Sequence, residues 1–118
     1  MENVIDLDAA AQQISQRRGE WHDLGITAGE TTWREQGEGW PPALKTDRAT
    51  IIDADSIGVE LAKGAQEGSV VLFTGGWADF CYWAGNADDP ILEAPGYHDP
   101  LDVGTFGQLL DRLTQLFA

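Results

Sequence analysis

The stretch from Ile57 to Trp83 constrains the fold most, because it reads as consecutive β-runs joined by short turns. Ile57, Val59 and Leu61 alternate with Gly58, Glu60 and Ala62, the period of two that a half-buried strand requires. A polar turn, Lys63 to Gly68, leads into the apolar run Ser69-Val-Val-Leu-Phe-Thr74. Gly75-Gly76 separates that run from Trp77 to Trp83, the composition of a tight hairpin. In the returning run, Ala78, Phe80 and Tyr82 share one face, and Trp77, Asp79, Cys81 and Trp83 share the other. Large apolar groups on both faces predict a central strand covered on at least part of both sides. Strands that follow one another through short connections pair antiparallel.

Helical patterns flank this β region. Val4, Leu7, Ala11, Ile14 and Trp21 fall at spacings of three and four, interrupted at Arg18, which predicts a helix from about Asn3 to Leu24. Asn3 and Asp6 are both competent caps for its start, and Gly25 suits its stop. Ile26 to Trp33 reads as a first strand. Gln36 to Pro42 reads as a loop, because Pro41 and Pro42 forbid regular hydrogen bonding. Arg48 to Asp53 fits a short strand or a helical turn equally well. Gly85 to Asp89 is a turn, and Ile91 to Glu93 is a short edge strand bracketed by Pro90 and Pro95. Thr105 or Asp102 caps a final helix running to about Phe117, with Phe106, Leu109, Leu110, Leu113, Leu116 and Phe117 as a dense apolar stripe. The expected fold is therefore α+β. It has two layers, an antiparallel sheet of about four to five strands flanked by an N-terminal and a C-terminal helix. At 118 residues, the chain suits one domain spanning 1–118.

Charge narrows the partners. Twenty acidic residues against seven basic ones give a net charge of -13. Such a surface repels phosphate backbones and anionic lipid, so neither nucleic acid nor membrane is an expected partner. A basic protein would be drawn in faster by the same field. Cys81 is the single cysteine, which rules out an internal disulfide and a four-cysteine zinc site. No signal peptide and no apolar run of membrane-spanning length is present, so the expected location is the cytoplasm.

A search for catalytic chemistry finds little. His22 and His98 lie far apart and in no metal-ligand spacing. A Cys81–histidine pair is the one enzymatic arrangement open to the chain. Asp53 with Asp55, and Asp88 with Asp89, lack the alternate-position layout of a calcium loop. Gly75-Gly76 has no following lysine or helix, so it is not a phosphate loop. No metal and no cofactor are expected, and the chain is read as a non-enzyme.

Aromatic and acidic residues remain. Trp and Tyr give large contact area at low entropic cost and are enriched in interfaces. Trp40 sits in a Gly/Pro loop with no evident face to bury, and Trp77 stands beside the hairpin turn and close to Asp79. The segment from Gly85 to Pro100 carries Asp88, Asp89, Glu93, Tyr97 and Asp99 against His98 alone. The expected partner-binding set is Trp40, Trp77, Asp79, Asp88, Asp89, Glu93 and Tyr97. The rival reading is a small-ligand or regulatory domain with an aromatic-lined pocket between sheet and helix.

Three stretches of the chain resemble the TriTu-type immunity proteins of bacterial polymorphic toxin systems. Arg17-Arg-Gly-Glu-Trp-His-Asp-Leu-Gly-Ile26 is similar to the end of that family's first helix running into its first strand. Ser56-Ile-Gly-Val-Glu-Leu61, a turn closing on Gly68, and Ser69-Val-Val-Leu-Phe-Thr-Gly-Gly-Trp-Ala-Asp-Phe80 resemble its strand, Gly-closed turn and acidic-hydrophobic return strand. The leucine-rich helix after Asp102 also agrees. Departures are Gly75, where relatives usually show Glu or Ser, the longer segment Gln36 to Asp47, and the proline-rich segment after Asp88. The resemblance implies a cytoplasmic antidote, without catalysis of its own, that blocks the active site of a cognate toxin effector domain. In at least one relative that toxin is an ADP-ribosyltransferase, which makes one a candidate partner here; that the toxin is basic is what the net charge implies.

Overall fold

A computed structural model describes residues 4–37, 43–86 and 89–117. Helix α1 spans Leu7–Asp23 and helix α2 spans Val103–Leu116. Between them lie β1 (Thr27–Ala28), β2 (Thr32–Glu35), β3 (Ala54–Lys63), β4 (Gln66–Phe73), β5 (Ala78–Trp83) and β6 (Ile91–Glu93). These form one antiparallel six-stranded sheet in the order β1-β3-β4-β5-β6, with β2 also paired to β3. The expected α+β architecture with two flanking helices is observed, with more strands than expected. The extra strand arises because the predicted run Ile26 to Trp33 is broken. β1 pairs with Leu61 and Ala62, β2 with Ala54 to Gly58, and the two lie end to end along one edge of β3. Arg18, the residue that interrupts the α1 stripe, donates from Nη1 to the Gly29 carbonyl (2.9 Å) and from Nη2 to Thr31 Oγ1 (3.0 Å). Its guanidinium thus supports the backbone at the break.

Local chemistry sets the ends of the elements. Asp6 caps α1, its carboxylate accepting from the backbone N–H groups of Asp8 and Ala9. Asp102 caps α2 in a reciprocal capping box with Thr105. Arg48–Thr50 is a single 3-10 turn capped by Asp47, so the helical alternative holds for that segment. In the predicted hairpin, the Gly76 N–H donates to the Phe73 carbonyl and the Phe73 N–H to the Trp77 carbonyl (2.9 Å each). Gly76 has φ +86°, a left-handed conformation that side-chain-bearing residues rarely adopt.

Strand register sorts the side chains into two faces. Ile57 lies opposite Leu72, Val59 opposite Val70, and Val70 opposite Phe80. These five are buried under the helices. Helix α2 approaches closely at Gly68, where an added Cβ would stand 2.9 Å from both Leu113 Cδ1 and Phe117 Cε2. Phe117 packs edge-on against Tyr82, with centroids 5.2 Å apart. The helices are tied to one another by Trp21 Nε1, which donates to Thr114 Oγ1 (2.8 Å), and by the fork of Arg17 on Asp111. Arg48 bonds both carboxylate oxygens of Asp8 and lies 4.9 Å over the buried Trp33 ring, joining the start of α1 to the segment before β3. Among the described residues, no helix is long and apolar enough to cross a membrane.

Candidate functional site

Both helices stand on the same side, so the other face of the sheet has no helix over it. This corrects the expectation that β5 is covered on part of both sides. β5 is internal, between β4 and β6, but its odd-numbered side chains face outward: Asp79 is exposed, Cys81 half-buried, and Trp83 38% exposed. Cross-strand rows organise this open face. Gly58, Val71 and Asp79 make one row, and Glu60, Ser69 and Cys81 the next, extended by Leu92 of β6. Ala62, Glu67 and Trp83 make a third. Leu92 is 70% exposed, a solvated apolar side chain directly beside Cys81.

At the hairpin end the face closes on a run of rings. Phe73 and Trp77 are stacked with centroids 4.2 Å apart, and Tyr97 meets Trp77 edge-on at 6.4 Å. His98 meets Tyr97 edge-on at 5.3 Å. Arg34 of β2 lies 5.7 Å over Phe73 and pairs with the buried carboxylate of Asp55. The segment carrying Tyr97 is held by the backbone: Ala78 N–H donates to the Pro95 carbonyl and Leu101 N–H to the Gly76 carbonyl. Tyr97 is nonetheless 71% exposed, so this ring is presented to solvent on a fixed backbone.

The opposite end contains a hollow of about 380 Å³ lined by Thr27, Glu60, Glu67, Ser69, Cys81 and Trp83 with neighbouring backbone. The face therefore carries three carboxylates, from Glu60, Glu67 and Asp79. None has an ion-pair partner among the described residues. Elsewhere the arginines are committed internally: Arg17 to Asp111, Arg34 to Asp55, Arg48 to Asp8, Arg112 to Glu93, and Arg18 to the β1–β2 break. Cations thus brace the fold, and the negative excess remains at the surface.

The sequence-predicted residues separate into groups. Trp77, Asp79 and Tyr97 come together at the hairpin end of the open face. Glu93 does not join them, because it lies opposite Phe80 and so points to the helix side. There Arg112 grips both its oxygens, at 2.6 and 2.7 Å, and lies 4.8 Å over the Phe80 ring. These hydrogen bonds hold the Glu93 carboxyl below its usual range, and the Arg112 pKa is raised in turn. Asp89 is exposed in the connection from β5 to β6. Trp40 and Asp88 lie outside the described residues. Other Trp and Tyr residues serve the core instead: Trp21, Trp33 and Tyr82 are buried.

Reading by residue type missed Phe73, Val71, Cys81 and Leu92. Parity held the signal, because Val71 and Phe73 share a face with the odd residues of β5. Between sheet and helices the described residues form packed core, and a hollow with Trp83 in its wall opens on the other face. Cys81 makes no hydrogen bond to His22 or His98. No group of three or more His, Cys, Asp or Glu suited to holding a metal occurs among the described residues. Compared with family models, curated proteins and solved structures, the chain matches none of them.

Proposed function

We propose that this chain is an immunity protein that neutralises a cognate toxin by seating a basic effector domain, with an ADP-ribosyltransferase as one candidate, on the open face of its sheet. The reading places it in the cytoplasm, where such an antidote meets its toxin, and gives it no catalytic step. The observation that carries it is the exposed sheet face itself, where solvated rings and apolar side chains stand beside carboxylates without cationic partners. Monomeric proteins rarely leave contiguous apolar surface bare unless something docks there. Aromatic anchors supply affinity, and unneutralised carboxylates steer a basic partner and select its register. Blocking a toxin in this way needs complementarity of shape and charge and no reaction.

The test is co-expression with a toxic domain encoded beside this chain's gene. The wild-type chain is expected to restore growth and to bind the purified toxin, with an association rate that falls as salt rises. Tyr97→Ala with Trp77→Ala is expected to weaken binding by about 30-fold or more, the loss typical of interface anchors. Glu20→Ala, on the exposed side of α1, is the control and is expected to bind as wild type. Full protection by the folded double variant, with protection lost on the helix side instead, overturns the assignment of the face.

A further inference from the structure

The hollow at the β1 end of the open face has a chemistry distinct from the ring cluster at the hairpin end. Its base is built from short side chains, with Ser69 and Cys81 in adjacent register and Ala62 one row away. Its sides are taller: Glu60, Glu67 and the indole of Trp83. Small residues between large ones on a flat sheet necessarily make a depression, and here the depression is about 380 Å³. That is the low end for ligand sites, which run from about 300 to about 1,000 Å³. The space suits one side chain or a small organic molecule.

Charge selects the occupant. Glu60 lies opposite Ser69, and Glu67 is two residues from Ser69 on the same strand and the same face. The two carboxylates are therefore diagonal neighbours, a spacing at which long side chains still interact. No Lys or Arg lines the hollow. Arg18 bonds the carbonyl of Gly29, a residue at the rim of the hollow, and Thr31 Oγ1, so its guanidinium is engaged there and does not line the hollow. Two like charges across a partly enclosed depression focus negative potential into it. Trp83 lies directly opposite Glu67, so an indole stands beside that potential. Indole is the best cation–π ring. A planar guanidinium uses both features, stacking on the ring while its fork of donors meets the carboxylates, which a compact ammonium does less well.

We infer that this hollow is a receptor for an arginine side chain projecting from the basic partner, a second anchor point separate from the ring cluster. The inference rests on the open face being the docking surface.

The experiment uses two probes. First, N-acetyl-arginine amide is titrated into the isotope-labelled full chain and followed by NMR. Shifts are expected at the Trp83 indole N–H and at the amides of Ser69 and Cys81. The neutral isostere, N-acetyl-citrulline amide, is expected to leave them unmoved. Glu60→Gln with Glu67→Gln is expected to weaken the arginine response by about tenfold or more; these exposed sites carry little of the fold. Equal response to citrulline, or shifts confined to other surfaces, overturns the proposal. Second, the same double variant and Trp83→Leu are measured against the purified toxin beside Trp77→Ala. Loss in all of them supports an arginine anchor at this end. Loss only with Trp77→Ala overturns the hollow and leaves the docking face standing. An arginine response with toxin binding insensitive to every open-face change overturns both, and makes the hollow a site for a free small cation.

Discussion

On one face of the sheet Ile57, Val59, Val70, Leu72 and Phe80 are sealed beneath two helices; one residue along the same strands, Glu60, Ser69, Val71, Cys81 and Trp83 meet solvent or stand half-covered. The backbone is shared, so hydrogen bonding is satisfied equally for both sets, and they differ in what lies above them. The covered face has its cations paired and stacked, as Arg112 is on Glu93 and Phe80. The open face has carboxylates with no cation to meet and rings with one side still wet. A protein selected only for stability gains from covering such rings, because each buried aromatic removes a large apolar area from water. Phe73 and Trp83 stand on the sheet, and Trp77 and Tyr97 on segments tied to it by backbone hydrogen bonds, which presents the rings in fixed positions. Fixed rings lose little conformational entropy on binding.

The sharpest way to break the comparison is to truncate one ring on each face of β5. Phe80→Ala, one residue from the open-face position Cys81 in the strand's alternation, is expected to destabilise by about 3–5 kcal/mol, the range for a buried phenylalanine. Trp83→Ala on the open side removes more atoms and is expected to change stability by less than about 1 kcal/mol, since that ring is already partly solvated. Equal losses in chemical denaturation would mean that the open face is covered in solution, which sinks the docking surface with it. A finer probe is Gly68→Ala. Its added methyl points at Leu113 and Phe117, so about 1–3 kcal/mol of overpacking is expected. Ser69→Ala, next along β4 but facing outward, is expected to be near neutral by the same measurement.

Much of this division is legible in sequence. The Gly75-Gly76 hairpin, the α2 stripe with its Asp102 cap, and the alternation of β3 all follow from local spacing and turn chemistry. The break between β1 and β2 does not, because Arg18 supports it from a residue 11 positions away from Gly29. Alternation separates a strand's side chains into two sets but does not say which set the helices cover. Where both sets are apolar, as in β5, the period is silent. Glu93 shows the same gap from the other side. It belongs to an acidic segment in sequence, yet its register against Phe80 turns it to Arg112, and register is a property of the paired strand. Trp77, Asp79 and Tyr97 were readable because a turn, a strand position and an exposed loop each left them little to bury against.

The mildest expected effect concerns the ion pairs and hydrogen-bonded carboxylates that belong to the folded framework. Asp8 is held below its usual pKa by hydrogen bonds from Arg48, and Glu93 by those from Arg112. Glu35 is lowered by the backbone N–H groups of Ile52 and Asp53, and Asp102 by its capping bonds with Thr105. A carboxyl whose pKa is lower folded than unfolded stabilises the fold fully above its unfolded value, near pH 4. That contribution disappears as pH falls through the folded value, because the unfolded chain takes up the proton first. Melting temperature should therefore fall between about pH 5 and about pH 2, beyond any gain from relieving the net negative charge. Each of these groups is close to solvent, so each contribution is small and screened by salt. Glu93→Gln is expected to lower the melting temperature slightly near neutrality and to show a shallower acid fall than wild type, the two curves converging once the carboxyl is protonated. Parallel curves across the whole range would show that the Arg112 grip on Glu93 contributes nothing to the covered face, and the contrast between the two sides of the sheet would then rest on apolar packing alone.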